Sequence, residues 1–201
     1  MAGHDGRSDP MKKPIVCLFL MVALILSACG AKQELPSDWE TDWTVVCPIL
    51  AVEPFDGFTL HESNDALYLS GIYYATWVAG ESRPHTNEEG EEAEVFDAQI
   101  YVIVQEYRDS GSAASGIAQW TAREKTTFDA GTEYTIVCDE QEYTVLPLTG
   151  GNENNPYRHG AAAFALRDSW AICVEFLGAE AYEIDFEKAL EEFLNGFHYA
   201  A

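Results

Sequence analysis

Basic residues are scarce in this chain: lysine and arginine together number 11, against 34 aspartates and glutamates, and the formal net charge is −23. Nucleic-acid binding depends on clustered lysine and arginine that displace counterions from phosphates, and the sequence has no such cluster. The same acidic excess repels anionic lipid headgroups from the surface of a folded domain. We therefore interpret the acidity as a solvated surface and exclude nucleic acid as a partner.

The signatures of common enzymes and metal sites are also missing. No two of the five cysteines form a CxxC pair, so neither a thioredoxin-type redox site nor a zinc knuckle is indicated. GxSxG, HExxH and a glycine-rich phosphate loop do not occur, and the histidines after residue 28 never share a helix face at i, i+4. These absences predict a non-enzymatic protein with no catalytic residues, no metal site and no cofactor.

Apolar runs are short, and the longest of them has a distinctive end. Ile15 to Leu26 follows Lys12 and Lys13 and is well below the roughly 20 residues that span a bilayer. A positive start, a short apolar core and small residues after it are typical of a secretory signal, whether translation begins at Met1 or at Met11. The segment ends in LSAC, so that two small residues precede Cys29.

Leu26-Ser27-Ala28-Cys29 resembles the lipobox of bacterial lipoproteins. The resemblance implies cleavage before Cys29 and a diacylglycerol thioether, with palmitate-type chains, on its sulfur. Two acyl chains anchor a protein stably where one does not. An ordinary secretory signal and a retained membrane anchor are the alternatives. We expect export and anchoring to the outer face of the bacterial cytoplasmic membrane, or to an outer membrane if the envelope has two.

The resulting organisation has three parts. Residues 1–28 are predicted to be a lipoprotein signal peptide, and residues 29–42, which are polar and contain a Pro-Ser turn signal, to be a linker after the lipidated Cys29. Residues 43–201 are predicted to form a single globular α+β domain, a length sufficient for one packed core.

Strand signals dominate the middle of the chain. Ile100 to Val104 are apolar at five successive positions, which predicts a strand covered on both faces. Ala161 to Leu166 and Trp170 to Val174 predict one hairpin. The segments EYTIVCD and EYTVLPL, parted by Glu140-Gln141, predict another.

Two amphipathic helices are predicted. Ser112 is the expected cap of one that runs to about Lys125, weakened by Gly116. The other begins after Asp185, carries apolar residues at three- and four-residue spacing, and stops near Gly196. Together these elements predict an α+β fold, an antiparallel sheet with amphipathic helices packed on its faces.

The order of elements and the closing segment FEKALEEFLNGFHY, over residues 55 to 199, resemble the PsbP-like family of α/β/α sandwiches. The family includes many exported bacterial lipoproteins and serves mostly in binding or assembly. The resemblance therefore implies a non-enzymatic module whose partner is an envelope protein or a small solute. It supplies no catalytic residue.

Two loops and three cysteines remain as candidate sites. Tyr157, Arg158 and His159, within the loop Gly150 to Gly160, are the side-chain types enriched in binding patches. The acidic loop Gly80 to Glu94 offers the alternative function, in which the protein captures a cation or another solute. Its candidate cation ligands are His85, Glu88, Glu89, Glu91 and Glu92.

We expect Cys47, Cys138 and Cys173 to be buried, unreactive thiols, with one disulfide between two of them as the alternative. A nucleophile built from Cys138, His159 and Asp139 is disfavoured, because neighbouring residues of a strand point to opposite faces.

Overall fold

The structure is a computed structural model and describes residues 39–63, 71–86, 92–151 and 155–200. The signal peptide, most of the linker and Cys29 lie outside the described residues, so the predictions made for them stay predictions. In the part that is described, no helix combines the length and the apolar character needed to cross a membrane.

Thirteen strands and two helices are present among these residues. The strands are β1 (Thr44–Cys47), β2 (Leu50–Val52), β3 (Thr59–Ser63), β4 (Ile72–Ala79), β5 (Arg83–Thr86), β6 (Glu92–Val95), β7 (Ala98–Glu106), β8 (Asp129–Ala130), β9 (Tyr134–Cys138), β10 (Gln141–Thr149), β11 (His159–Arg167), β12 (Trp170–Gly178) and β13 (Phe197–Tyr199). The helices are α1 (Ser110–Thr127) and α2 (Phe186–Leu194). The predicted α+β fold class is confirmed.

The main sheet is antiparallel and is centred on the three most apolar strands. In the described residues its order is β3-β4-β7-β12-β11-β10-β8, and β9 also pairs with β10. The long pairings β7–β12 and β11–β12 each run over nine residues without a register shift. The segment Ala161 to Val174 therefore forms the hairpin that its pattern predicts, with its turn at Asp168-Ser169.

The two faces of the sheet are covered differently. On one face α1 packs over β11 and β12 around a smaller apolar cluster that includes Phe128, Phe164 and Cys173. On the other face α2 and a small sheet of order β1-β2-β13 enclose the larger core. Along β7 the apolar residues of one face, from Ala98 to Val104, are buried, whereas Tyr101 and Ile103 on the α1 face are only half-buried.

The larger core is built from aromatic rings in edge-to-face contact. The ring of Phe193 on α2 lies 5.4 Å from Trp77, 5.3 Å from Phe55 and 5.4 Å from Phe197, each at an interplanar angle above 70°. Such T-shaped pairs add about 0.5–1.5 kcal/mol each beyond the burial of apolar area. The spacing of apolar residues in α2 thus places its aromatic face in the core, as predicted.

The start of α1 differs from the prediction. Its cap is Asp109, whose side chain accepts a hydrogen bond from the Ser112 backbone N–H at 2.8 Å, so Ser112 lies inside the first turn. Aspartate and serine are comparable caps, and the choice depends on where the preceding strand ends. Gly116 is buried in this helix because Tyr107 lies across it: a Cβ at that position would come within 2.1 Å of the Tyr107 hydroxyl oxygen.

The segment after α2 also differs from the prediction, because it forms a strand. Asp185 caps the helix as expected, and its side chain accepts from the Lys188 backbone N–H. Beyond Gly196 the chain forms β13, which pairs with β2 of the N-terminal hairpin. Three residues carry too little periodicity to be distinguished from the end of a helix, so only the pairing partner shows that they form a strand.

The second hairpin has a different turn from the one predicted. Its turn residues are Asp139 and Glu140, both with positive φ (45° and 62°), and Gln141 already belongs to β10. A two-residue connection with positive φ at both positions matches the hairpin turn that favours Asn-Gly. Both native side chains therefore occupy a conformation that costs L-residues about 1–2 kcal/mol.

We expect the double substitution Asp139→Asn and Glu140→Gly to stabilise the domain by about 1 kcal/mol, since it relieves this backbone conformation. Thermal unfolding followed by circular dichroism should show a melting temperature higher by roughly 2–4 °C. Glu142→Gly, in the strand two residues further on, is the control and should destabilise. A double variant that melts no higher than the native protein would contradict the turn assignment.

Candidate functional site

A surface cleft of about 410 Å³ lies at one end of the main sheet. It is formed by β5, by the segment that leads into β11, and by the segment that follows β12, and its lining residues are Arg83, His85, Asn155, Pro156, Arg158, Ala179, Glu180 and Ala181. Three of the 11 lysines and arginines precede residue 29. Two of the remaining eight thus line one cleft, together with a histidine.

Arg83 is held in place by Asp97. Its Nη1 donates to Asp97 Oδ1 at 3.0 Å, and the second carboxylate oxygen of Asp97 accepts the Glu81 backbone N–H at 3.0 Å. The backbone carbonyl of Asp97 accepts in turn from the N–H of Ala179, another cleft residue. A guanidinium has five N–H donors, and this contact orients the Arg83 side chain, which is 48% exposed.

Arg158 is fixed through its backbone as well as its side chain. Its N–H donates to the Gly178 carbonyl at 2.9 Å, and its own carbonyl accepts from the Gly150 N–H at 2.7 Å. Its Nη1 donates to the Gly151 carbonyl at 2.6 Å. The guanidinium therefore starts from a defined position, which lowers the entropy that a ligand contact has to overcome.

Of the three predicted binding residues, only Arg158 lines the cleft. Tyr157 is buried in the smaller apolar cluster, and its hydroxyl donates to Gln99 Oε1 at 2.9 Å. Burial raises the pKa of Tyr157 to about 12, against the opposing effects of a Phe96 backbone hydrogen bond and the charge of Arg83.

His159 begins β11, and its Nε2 donates to the Ala179 carbonyl at 2.9 Å. The hydrogen bonds of Tyr157 and His159 thus fix the backbone on both sides of Arg158.

Sequence reasoning did not predict that Arg83 lines the same cleft as Arg158, because 75 positions separate the two residues. The acidic segment that contains it was predicted to be an exposed loop but forms a hairpin, with β5 paired to β6. The cleft could have been predicted from the scarcity of basic residues, because each arginine or lysine in so acidic a chain is a candidate for a specific contact.

A second charged group is buried under α1. Glu124 on α1 and Glu175 on β12 are 3% and 8% exposed, and both carboxylates contact the guanidinium of Arg123. The thiol of Cys173 lies 3.7 Å from Glu175 Oε1. Burial first, and the neighbouring Glu124 carboxylate second, raise the pKa of Glu175 to about 7, although Arg123 opposes this. Two buried carboxylates thus share one cation, and protonation of Glu175 relieves the repulsion.

The three cysteines are free and buried, which confirms their predicted burial. Burial raises the pKa of Cys47 to about 12 and lifts the pKa values of Cys138 and Cys173 above the ordinary thiol range. Cys138 pairs with Gln141 and His159 pairs with Thr149, at opposite ends of β10. Eight residues of strand separate these ends by roughly 27 Å, so Cys138 and His159 do not form a catalytic pair.

We expect none of these three thiols to react with Ellman's reagent in the folded protein at pH 8, and all three to react after denaturation. The test uses a protein in which Cys17 and Cys29 are replaced by serine, and it follows thiol release by absorbance. Val137→Cys is the control, because Val137 is 66% exposed and adjacent to the buried Cys138. Rapid reaction of one thiol without that control substitution would contradict the burial.

The acidic loop is described only in part. Glu88, Glu89 and Glu91 lie outside the described residues, while Glu92 begins β6 and His85 lies on β5 and lines the cleft. Within the described ranges, no three histidine, cysteine or acidic side chains are grouped closely enough to hold a metal ion. The cation-binding hypothesis therefore stays a prediction.

Comparisons with known proteins give matches to solved structures. No protein-family model matches the chain, and no curated protein matches it significantly. Among the solved structures that it matches is the solution structure of cyanobacterial PsbP (CyanoP) from Synechocystis sp. PCC 6803. The alignment covers 73% of this chain and 95% of that one, at 13% sequence identity and a TM-score of 0.36.

Proposed function

We propose that this protein is a lipid-anchored, exported envelope protein of the PsbP-like type that acts as a non-enzymatic binding module through the cleft of Arg83 and Arg158. The observation that supports the binding role is that two arginines and one histidine are among the residues that line a 410 Å³ cleft in a chain of net charge −23. A pocket of a few hundred cubic ångströms with a small number of placed polar groups is typical of a small-molecule or peptide site.

The anchoring half of the proposal rests on the LSAC motif at residues 26–29. Mass spectrometry of the native protein should find Cys29 as the first residue, carrying a diacylglycerol thioether. Cys29→Ala should abolish that modification and release the protein from the membrane fraction. Cys17→Ala is the control and should change neither. An unmodified thiol at position 29, or an uncut leader, would overturn this half.

The binding half predicts that the protein retains a bound molecule when it is purified from the cell envelope. Native mass spectrometry of gently purified full-length protein should show an added mass that Arg83→Gln removes. Arg108→Gln, which deletes an exposed guanidinium on the surface, should retain it. An added mass that survives Arg83→Gln would place the binding elsewhere on the molecule.

The non-enzymatic character is supported by the separation of Cys138 from His159 and by the burial of all three thiols. Calcium titration tests the alternative, capture of a cation by the acidic hairpin. A melting temperature raised by several degrees at submillimolar calcium would favour that alternative, because a ligand that binds only the folded state stabilises it in proportion to the logarithm of its concentration.

A further inference from the structure

We propose that a second cleft, between the turn of residues 55–58 and α2, binds a small organic monocation of the quaternary ammonium type. This aromatic cleft has a volume of about 310 Å³ and shares no lining residue with the cleft of Arg83 and Arg158. Binding here therefore goes beyond the proposed function and does not depend on it. The rings of the aromatic cleft, its excess of carboxylates and its small size together favour this class of ligand.

Four aromatic residues from three parts of the fold line the aromatic cleft. Phe55 and Phe58 belong to one tight turn, in which the Phe58 N–H donates to the Phe55 carbonyl at 3.1 Å and Gly57 has a φ of 82°. Their rings lie 5.5 Å apart, and both contact Phe176 of β12 edge-to-face. Tyr182, from the connection between β12 and α2, is the fourth. Phe176 is fully buried, whereas the other three rings are only partly buried and supply the aromatic surface of the cleft.

Partly exposed rings around one cleft favour a cation with an apolar surface. The face of an aromatic ring is electronegative and attracts a cation that lies within about 6 Å of the ring centre. A quaternary ammonium group suits such walls, because its methyl groups make apolar contacts and it has no N–H donor that would lose its hydrogen bond on burial. A calcium ion, by contrast, takes roughly six to eight oxygen ligands, which aromatic walls cannot supply.

The charged residues of the aromatic cleft leave a negative excess. Lys188 Nζ lies 3.4 Å from Glu192 Oε1, so the charges of these two cleft residues offset each other. The other two charged residues are Asp185, whose Oδ1 accepts the Lys188 backbone N–H, and Asp56. Asp56 is exposed and has no hydrogen bond or ion pair within the described ranges. Its uncompensated charge lies in the turn between the two phenylalanines, and the net charge of −23 adds to the attraction for a cation.

The size and the charge of the aromatic cleft define the probes. Its volume of about 310 Å³ is at the lower end of the range of about 300 to 1,000 Å³ found for small-molecule pockets. The negative excess disfavours a ligand that also carries an anionic group. Choline is thus a suitable first probe. Dimethylbutanol, its neutral carbon analogue, has the same shape without the charge, and phosphocholine, a lipid headgroup, adds a phosphate.

The test is a titration of the full-length protein in a non-ionic detergent with choline chloride, dimethylbutanol and phosphocholine at constant ionic strength. Backbone amide chemical shifts provide the readout. Choline should shift the amide signals of Phe58 and Tyr182. It should bind about threefold more tightly, or better, than either comparison compound, because the ring faces and the Asp56 carboxylate favour a cation without an anionic group.

Two variants separate charge from shape. Asp56→Asn should weaken choline binding by about threefold or more and leave dimethylbutanol binding unchanged, since only the cation loses an electrostatic partner. Phe58→Leu keeps an apolar side chain but removes a ring face, so it should also weaken choline binding selectively. Asp168→Asn is the matched control and should change neither. Asp168 is exposed in the turn between β11 and β12, eight residues and thus roughly 25 Å along the strand from Phe176.

Four results would overturn the assignment of an organic cation to the aromatic cleft. They are equal binding of choline and dimethylbutanol, tighter binding of phosphocholine, equal losses in the Asp56 and Asp168 variants, and no shift of the cleft amides at about 50 mM choline (about 50-fold above a millimolar Kd). None of them bears on the cleft of Arg83 and Arg158, whose binding role is tested by the added mass that Arg83→Gln removes.

Discussion

Replacing Glu175 by glutamine is expected to make the domain more stable at pH 8 and less sensitive to pH between about 4.5 and 7. In the folded protein the pKa of Glu175 is raised to about 7 from its ordinary value of 4.5, chiefly by burial and then by the carboxylate of Glu124. The folded state therefore keeps a proton that the unfolded chain releases across this pH range. The contribution of Glu175 to the free energy of unfolding is therefore highest below pH 4.5, and it falls as the pH rises to 7.

The size of the effect follows from the displacement of the pKa. A displacement from 4.5 to about 7 corresponds to roughly 3 kcal/mol lost above neutral pH. Glutamine keeps the shape and the acceptor oxygen of Glu175 but has no charge, so it avoids the loss. Arg123→Gln should act in the opposite sense and lower the stability at pH 8, because it removes the one cation that both buried carboxylates contact.

Urea unfolding at a series of pH values from 4 to 8 measures these differences directly. The quantity of interest is the variant minus the native free energy of unfolding at each pH, which cancels the titration of the other acidic groups. Glu142→Gln, an exposed substitution with the same chemical change, should give a difference close to zero throughout. A Glu175→Gln protein whose stability varies with pH as steeply as that of the native protein would contradict the account of the buried pair.

Gly160→Ala is expected to lower the stability of the domain by about 3 kcal/mol, because the sheet has no room for a side chain there. A Cβ at Gly160 on β11 would lie 2.2 Å from the backbone oxygen of Phe176 and 3.1 Å from the Leu177 Cα on the paired strand β12. Because β12 is paired with β11 on one side and with β7 on the other, its backbone atoms cannot move aside without disturbing the neighbouring hydrogen bonds. For a domain of this length the melting temperature should fall by roughly 6–12 °C.

Gly111→Ala is the matched control. It makes the same chemical change within the first turn of α1, where the nearest atom to an added Cβ is Asp109 Oδ1 at 3.5 Å, an ordinary contact. Alanine is the better helix former, so this variant should be neutral or more stable by up to about 0.5–1 kcal/mol. Thermal unfolding of both variants by calorimetry decides the point, and equal melting temperatures for the two would show that the close approach at Gly160 is absent.

The position of the cleft explains how a strongly acidic protein can present a basic site. Arg83 comes from the β5–β6 hairpin, and Arg158 comes from the connection between two central strands. They meet because Asp97, at the start of β7, contacts both Arg83 and the segment after β12.

Local pattern was sufficient for the elements whose signals are strong and continuous. Apolar runs predict β7, β11 and β12, and three- and four-residue spacing predicts α2, because each of these segments must bury a full face over nine residues. Burial of Cys138 and Cys173 also follows from alternation along a strand. These features depend on the segment itself and on the existence of a core, and not on which neighbour supplies the cover.

Tertiary structure decided everything that depends on two distant segments. The strand after Gly196 exists because β2 is there to pair with it, and the cap of α1 is Asp109 because β7 and its pairing with β12 end just before it. Arg83 and Arg158 share a cleft, and Glu124 and Glu175 share a cation, through contacts between residues more than 50 positions apart. Sequence patterns record the period of one element, whereas charge pairing between elements depends on their packing in space.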